Sequence, residues 1–167
     1  DRAARIVRGL LRFAREGGSE HEMVAAHELA SESLAYTCER MRIHGVTLER
    51  ELRSEARVQC NPLEMTQVLV NLLNNAFDAV RGRGGTVRFE LFDEGDLLIF
   101  DVVDDGPGVP DELSERLFEP FVTSKPQGTG LGLSISQGIV EASGGRLSYR
   151  RDRERSHFVV ELPVARP

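Results

Sequence analysis

Three glycines at alternate positions, Gly128, Gly130 and Gly132, run directly into an apolar helical pattern of Leu133, Ile135, Ile139 and Val140. Glycine lets backbone N–H groups approach an anion closely, and the start of a helix favours negative charge through its dipole. Thr123, Ser124, Lys125, Pro126 and Gln127 form a polar run just before the glycines, and Leu117, Phe118, Phe121 and Val122 ahead of that run are apolar enough to bury a hinge. The stretch from Leu117 to Ser134 therefore predicts a lid over a nucleotide phosphate.

Gln67, Asn71, Asn75 and Asp78 are spaced to share one face of a helix. That face is polar but almost uncharged. An ordinary solvent face would use Lys, Glu and Arg, whereas an interior asparagine costs about 0.5 kcal/mol relative to alanine. Asn71, Asn74 and Asn75 are thus better explained by a site than by solvent. Amide oxygens are hard ligands suited to Mg²⁺, which takes its remaining ligands from water and substrate phosphates.

Asp104 closes an alternating row of Leu98, Phe100 and Val102 on one face of a strand. A carboxylate at the end of such a row needs a partner. The following Gly106-Pro107-Gly108 makes a tight loop over which a flat base can lie. Adenine offers an exocyclic amine to the acceptor, while guanine presents a carbonyl oxygen that repels it, so Asp104 is placed to select ATP over GTP. An Asx-turn onto Gly106 is the simpler local role of the same Asp-x-Gly.

These groups need elements to hold them. Asn61-Pro62 is a cap followed by an N1 proline, and the helix it starts should run to about Arg81, with Met65, Leu69, Leu72, Leu73, Ala76 and Val80 as its buried stripe. Strands are predicted from Thr86 to Phe92 and Leu97 to Asp104, then, after the Leu133 to Ala142 helix, from Arg146 to Arg151 and His157 to Leu162. Upstream, a helix is expected from Met23 to Met41, with strand patterns near Val46-Thr47-Leu48 and Arg57-Val58-Gln59-Cys60. Ile6, Leu10, Phe13 and Ala14 predict one more helix, stopped by Gly17-Gly18-Ser19. Its stripe has little to pack against, as for one member of a helical hairpin, and the chain reads as a piece of something longer.

At 167 residues, with 40% hydrophobic and 29% charged residues, one main soluble domain is expected. The net charge of −6 argues against general nucleic-acid binding, so any phosphate site is local. Cys38 and Cys60 lack metal-ligand spacing and read as reduced thiols of a cytoplasmic protein. No stretch reads as a membrane span or a secretory signal. His21 and His27, each followed by glutamate, read as surface histidines rather than phospho-acceptors.

In this order and spacing the motifs resemble the catalytic and ATP-binding domain of sensor histidine kinases, a branch of the superfamily that includes gyrase, chaperone and mismatch-repair ATPases. NLLNNA (Asn71 to Ala76) looks like the family's N box and DDGPG (Asp104 to Gly108) like its G1 box. Phe118 to Phe121 resembles the F box, and GTGLGL (Gly128 to Leu133) the G2 box. The resemblance implies an α+β fold, a two-layer α/β sandwich whose mixed sheet is covered on one face by helices and preceded by one helix. It implies residues 1–18 as the second helix of a dimerisation and phosphotransfer hairpin with its linker, and residues 19–167 as the ATP-binding domain.

By the same resemblance the cofactors are ATP and Mg²⁺. Asn75 would coordinate the metal, Asn71 would contact the phosphates or the metal shell, and Asp104 would bind the adenine amine. Gly106 and Gly108 would shape the base pocket, and Gly128, Gly130 and Gly132 would admit the triphosphate. Lys125 and Thr129 would serve its β- or γ-phosphate, with Phe118 and Leu131 completing the nucleotide contacts. Implied partners are a hairpin carrying the acceptor histidine, a response regulator and, in the full-length protein, a second copy; nucleic acid and membrane are not expected partners of this stretch.

ATP-hydrolysing members of the superfamily place a glutamate one turn before the metal-binding asparagine, as a base for water. Here that position is Asn71, and an amide takes no proton at neutral pH. Transfer to a histidine is therefore expected, with a gyrase-type ATPase or a non-catalytic nucleotide sensor as the alternatives.

Overall fold

A computed structural model describes residues 20–166, so the helix expected within residues 1–18 lies outside the described residues. The chain runs through β1 (Glu22–Ala25), α1 (Ala26–Ile43), β2 (Thr47–Leu52) and β3 (Arg57–Cys60). It continues with α2 (Pro62–Val80), β4 (Thr86–Glu94), β5 (Leu97–Asp104) and the single turn α3 (Asp111–Ser114). The last elements are α4 (Gly132–Ala142), β6 (Arg146–Asp152) and β7 (Arg155–Pro163).

Five strands form one mixed sheet in the order β2-β4-β5-β7-β6, with β2 parallel to β4 and the other pairs antiparallel. Helices pack on one face, where Phe89, Leu91, Phe100, Val102, Phe158 and Val160 meet the buried residues of α1, α2 and α4. The opposite face carries charged pairs such as Arg88–Glu49, 2.9 Å apart. This is the two-layer α/β sandwich that the resemblance implied. Among the described residues no helix is long and apolar enough to cross a membrane.

α2 is the element that couples the core to the site. The Asn61 side chain accepts from the Glu64 amide at 3.0 Å and Pro62 occupies the first turn, so the helix starts where a cap and a fixed φ put it. All six residues of its expected stripe are buried, joined by Val68 and Phe77. Each fully buried leucine or phenylalanine stabilises by about 1.5–3 kcal/mol. That far outweighs the propensity cost of three asparagines on the other faces, at about 0.5 kcal/mol each.

Met23–Ala25 do not begin a helix, as the Met23 to Met41 pattern suggested; they form β1, paired antiparallel with β3 through Val24↔Val58. The Ala26 amide donates to Ala56 O at 3.0 Å and the helix starts there. A run as uniformly apolar as Val24-Ala25-Ala26 fits either period, and the ladder to a strand thirty-odd residues away decides it. Neither α3 nor the extension of β2 through its charged residues to Leu52 was apparent from the sequence pattern.

Candidate functional site

A cavity of about 410 Å³ opens between α2, the loop after β5, residues 115–131, the start of α4 and the β6–β7 hairpin. That volume suits a small organic ligand. Asn71, Asn75 and Asp104 line it, as do Gly108, Lys125 and Thr129 and the three glycines Gly128, Gly130 and Gly132. Three expected contacts are not on its wall. Phe118 packs against the hydrophobic core, Leu131 stands at the N-cap of α4, and Gly106 is turned toward Ala79, whose carbonyl oxygen would lie 2.8 Å from a Cβ there.

On α2, Asn75 and Asp78 lie one turn apart and converge on one cation. The Lys125 ammonium donates to Asn75 Oδ1 at 3.0 Å and to Asp78 Oδ2 at 2.8 Å. Arg40 and Arg81 flank the same carboxylate at 3.9 and 3.7 Å. Two oxygen donors pointing at a positive charge is an arrangement that also suits a hard divalent cation. Among the described residues no three His, Cys, Asp or Glu side chains gather as a metal cluster. Such a cation would therefore draw its other ligands from water and from what it binds.

Asn74 does not belong to this face. Its Oδ1 accepts from Arg40 Nη1 at 3.0 Å, and the Arg40 guanidinium lies 4.4 Å from the centre of the Phe77 ring. The third asparagine of the run thus fastens α1 to α2.

Asn71 bridges to α4, its Nδ2 donating to Ser136 Oγ at 3.1 Å. A Cβ on Gly132 would come 2.8 Å from Asn71 Oδ1, so the two helices approach closely because position 132 carries no side chain. α4 starts at this contact without a side-chain cap, leaving its first-turn amides at the cavity edge. Gly130 adopts φ +69 and its carbonyl accepts from the Phe121 amide at 2.8 Å, closing the segment into a loop. A side chain at 130 would meet the Phe121 backbone at 2.5 Å.

Asp104 is 3% exposed at the end of β5. Its Oδ1 accepts from the Gly106 amide at 2.9 Å, which is the Asx-turn, while the residue also lines the cavity; the local role and the ligand-facing role coexist. Burial pushes the carboxyl above the ordinary aspartate range, against the pull of the Gly106 N–H and the Arg151 guanidinium.

Residues 60–166 match the family model described as histidine kinase-, DNA gyrase B- and HSP90-like ATPase. The chain belongs to this ATPase family. The sensor histidine kinase ZraS of Salmonella typhimurium is 32% identical over 167 residues, which is 98% of this chain and 36% of that protein. The catalytic domain of histidine kinase ThkA matches with a TM-score of 0.79 and 33% identity, over 87% of this chain and 96% of that one. ThkA has also been solved in complex with the response regulator TrrA, at a TM-score of 0.79 and 30% identity, over 98% of this chain and 48% of that one. Full-length ShkA in complex with AMPPNP matches with a TM-score of 0.79 and 25% identity, over 99% of this chain and 36% of that one. The chain spans about a third of the length of the curated relatives it matches.

In this ATPase-family domain one wall of the cavity comes from side chains that no motif flagged. Tyr149, Ser156 and Phe158 of the closing hairpin line it, as does Val109. Phe158 lies on the predicted His157 to Leu162 strand, but nothing local ties Tyr149 to the loop after β5. Its Oη accepts from the Val109 amide at 3.1 Å, across 40 residues of chain.

Proposed function

We propose that this chain is the ATP-binding kinase domain of a two-component sensor histidine kinase. It passes the γ-phosphoryl group of ATP to a histidine on a hairpin domain, for relay to an aspartate of a response regulator. Asn71 carries this reading. It stands one turn before Asn75 on the cavity wall, where a glutamate would activate water, and its amide is occupied with Ser136. An amide is no base, so the γ-phosphoryl group is kept for a better nucleophile. Likeness to ZraS and ThkA supports the kinase branch of the family, and the AMPPNP bound by ShkA supports a triphosphate in the cavity.

In this reading Asp104 accepts the adenine amine, and Gly106 and Gly108 shape the loop beneath the base. Gly128, Gly130 and Gly132 let backbone amides reach the triphosphate, where Lys125 and Thr129 donate to its β- or γ-oxygens. Mg²⁺ fits at Asn75, with Asp78 beside it, and when bound supplies charge neutralisation on the phosphates. An imidazole nitrogen attacks the γ-phosphorus, the bond to the β–γ bridging oxygen breaks, and ADP departs. The chain's contribution is alignment and charge rather than proton transfer.

Within the chain, residues 1–18 would be the second hairpin helix and its linker, and residues 19–167 the catalytic domain. Across the whole protein we infer a homodimer joined through the hairpin, with this domain in the cytoplasm.

Mixing the chain with a separately made hairpin and γ-labelled ATP·Mg²⁺ tests the reading. The expected result is acid-labile label on the hairpin and very slow ATP hydrolysis without it. An unlabelled hairpin, or hydrolysis at ordinary enzymatic rates with no acceptor, would overturn it in favour of a nucleotide sensor or a gyrase-type ATPase.

A further inference from the structure

The loop between β5 and α3 is held from outside by the β6–β7 hairpin. Tyr149 and Arg151 sit two residues apart on one face of β6, opposite Phe158 and Ser156 of β7. Both Nη atoms of Arg151 donate to Gly106 O at 3.3 Å, and Nη1 also donates to Ser156 Oγ at 3.0 Å. Ser156 is 2% exposed and its hydroxyl stands 3.3 Å from Tyr149 Oη, which in turn accepts from the Val109 amide. Side chains of one hairpin thus satisfy a carbonyl at one end of the loop and an amide at the other.

The guanidinium also lies against Gly108, whose φ is +80; a Cβ at that position would stand 2.4 Å from Arg151 Nη1. Glycine at 108 therefore serves two purposes, the left-handed turn and room for the arginine. Gly106, the residue whose carbonyl Arg151 grips, is the same residue whose amide binds Asp104 Oδ1. One short path therefore runs from the Arg151 guanidinium across the Gly106 backbone, carbonyl to amide, to the Asp104 carboxylate.

We propose that Arg151 is a positioning residue for the nucleotide base: clamped by Ser156, it holds the Gly106–Val109 loop and thereby sets the position and orientation of Asp104 at the edge of the adenine ring, facing the exocyclic amine. This role rests on the cavity being an adenine-nucleotide site. Arg151 does not touch the phosphate end, which is built from α2, Lys125 and the start of α4. Its removal should therefore weaken recognition of the base and leave recognition of phosphate alone. The same guanidinium opposes the upward push of burial on the Asp104 carboxyl and so favours its acceptor form.

Calorimetric titration of the 167-residue chain with ATP, ADP and Mg²⁺-tripolyphosphate decides the matter. Arg151→Gln should weaken ATP and ADP by the same factor, about tenfold, because one charged hydrogen-bonding group is lost at the shared base end. Tripolyphosphate should bind the variant as it binds the wild type. Arg151→Lys, which keeps a donor and the charge, should recover part of the loss. Unchanged ATP affinity in Arg151→Gln, or a tripolyphosphate loss equal to the ATP loss, overturns the role. Should Arg151→Gln fail to fold, Tyr149→Phe removes only the hydroxyl that holds Val109, and wild-type ATP affinity in that variant overturns the hairpin clamp. A wild-type chain that binds neither ATP nor ADP removes the adenine-nucleotide site itself, and the clamp with it.

Discussion

Lys125 Nζ lies 2.8 Å from Asp78 Oδ2, tying the polar segment between α3 and α4 to the C-terminal part of α2. The two side chains are 44% and 24% exposed, and a pair so open to solvent contributes about 0–1 kcal/mol to folding. The ammonium therefore adds little to the fold, and in the proposed reading its charge serves the nucleotide instead. It cancels the negative charge of Asp78 at the spot where a triphosphate would bring more.

Lys125→Met should consequently separate stability from binding. We expect a melting temperature within about 2 °C of wild type and an ATP affinity lower by about tenfold or more. Thermal unfolding and calorimetry on the same preparation check this, and an ATP affinity equal to wild type would remove Lys125 from the phosphate site.

Asp104→Asn should move the two quantities in opposite directions. Burial raises this carboxyl's pKa, so the folded state favours its protonated form. That contribution to stability is present at low pH and is lost as pH rises through the raised value, leaving a buried charge at neutral pH. Asparagine keeps an oxygen for the Gly106 amide without the charge. The variant should melt no lower than wild type at pH 7 yet bind ATP far more weakly.

For the wild type, ATP affinity should decline as pH falls through the Asp104 value, at a pH higher than an ordinary aspartate, at about 3.9, would set. A calorimetric series across pH reads this directly. An affinity flat down to the ordinary aspartate range would argue against the carboxylate as the acceptor.

Gly132→Ala probes the contact between α2 and α4. The added methyl would stand 2.8 Å from Asn71 Oδ1, in the backbone-to-side-chain gap that brings the helices together at the cavity. Overpacking of this kind costs about 1–3 kcal/mol. Denaturant unfolding should show that loss, and nucleotide affinity should fall with it; full affinity with unchanged stability would mean that the contact is dispensable.

The two cysteines give an independent check on the fold. Cys38 is exposed on α1, whereas Cys60 is buried on β3 and burial pushes its thiol up to about 11. At pH 8 an alkylating reagent should modify one site on the native chain and two in denaturant, counted by mass spectrometry. Because the Cys60 value is raised, its contribution to stability holds below the ordinary thiol range and is lost as pH rises toward 11. Rapid native modification of Cys60 would contradict its placement between β1 and the core.

Local pattern carried much of this molecule. The Asn61-Pro62 start, the six-residue stripe of α2 and the core-facing row of Leu98, Phe100 and Val102 on β5 are decided by neighbours within a turn or a pleat, so they were legible one residue at a time. Asn71 and Asn75 were picked out because asparagine is a poor choice for an exposed helix face, and both line the cavity. The same argument swept in Asn74, which differs from its neighbours only by the 100° step of the helix and by an arginine 34 residues upstream. Met23–Ala25 misled for a related reason, since a short apolar run acquires its period from the partner it pairs with.

By itself, then, the amino-acid order determined the elements from α2 onward except α3, their buried faces, and the residue types that the proposed reading assigns to magnesium, phosphate and a purine. Only the tertiary structure decided that Lys125 reaches Asp78, that Phe118 and Leu131 stand off the cavity wall, and that Tyr149, Arg151 and Ser156 grip the loop beneath Asp104. The physical reason is range. Helical and strand periodicity follow from steric and hydrogen-bonding rules between near neighbours, whereas these contacts join atoms up to 47 residues apart that meet only once the sheet and its helices have packed.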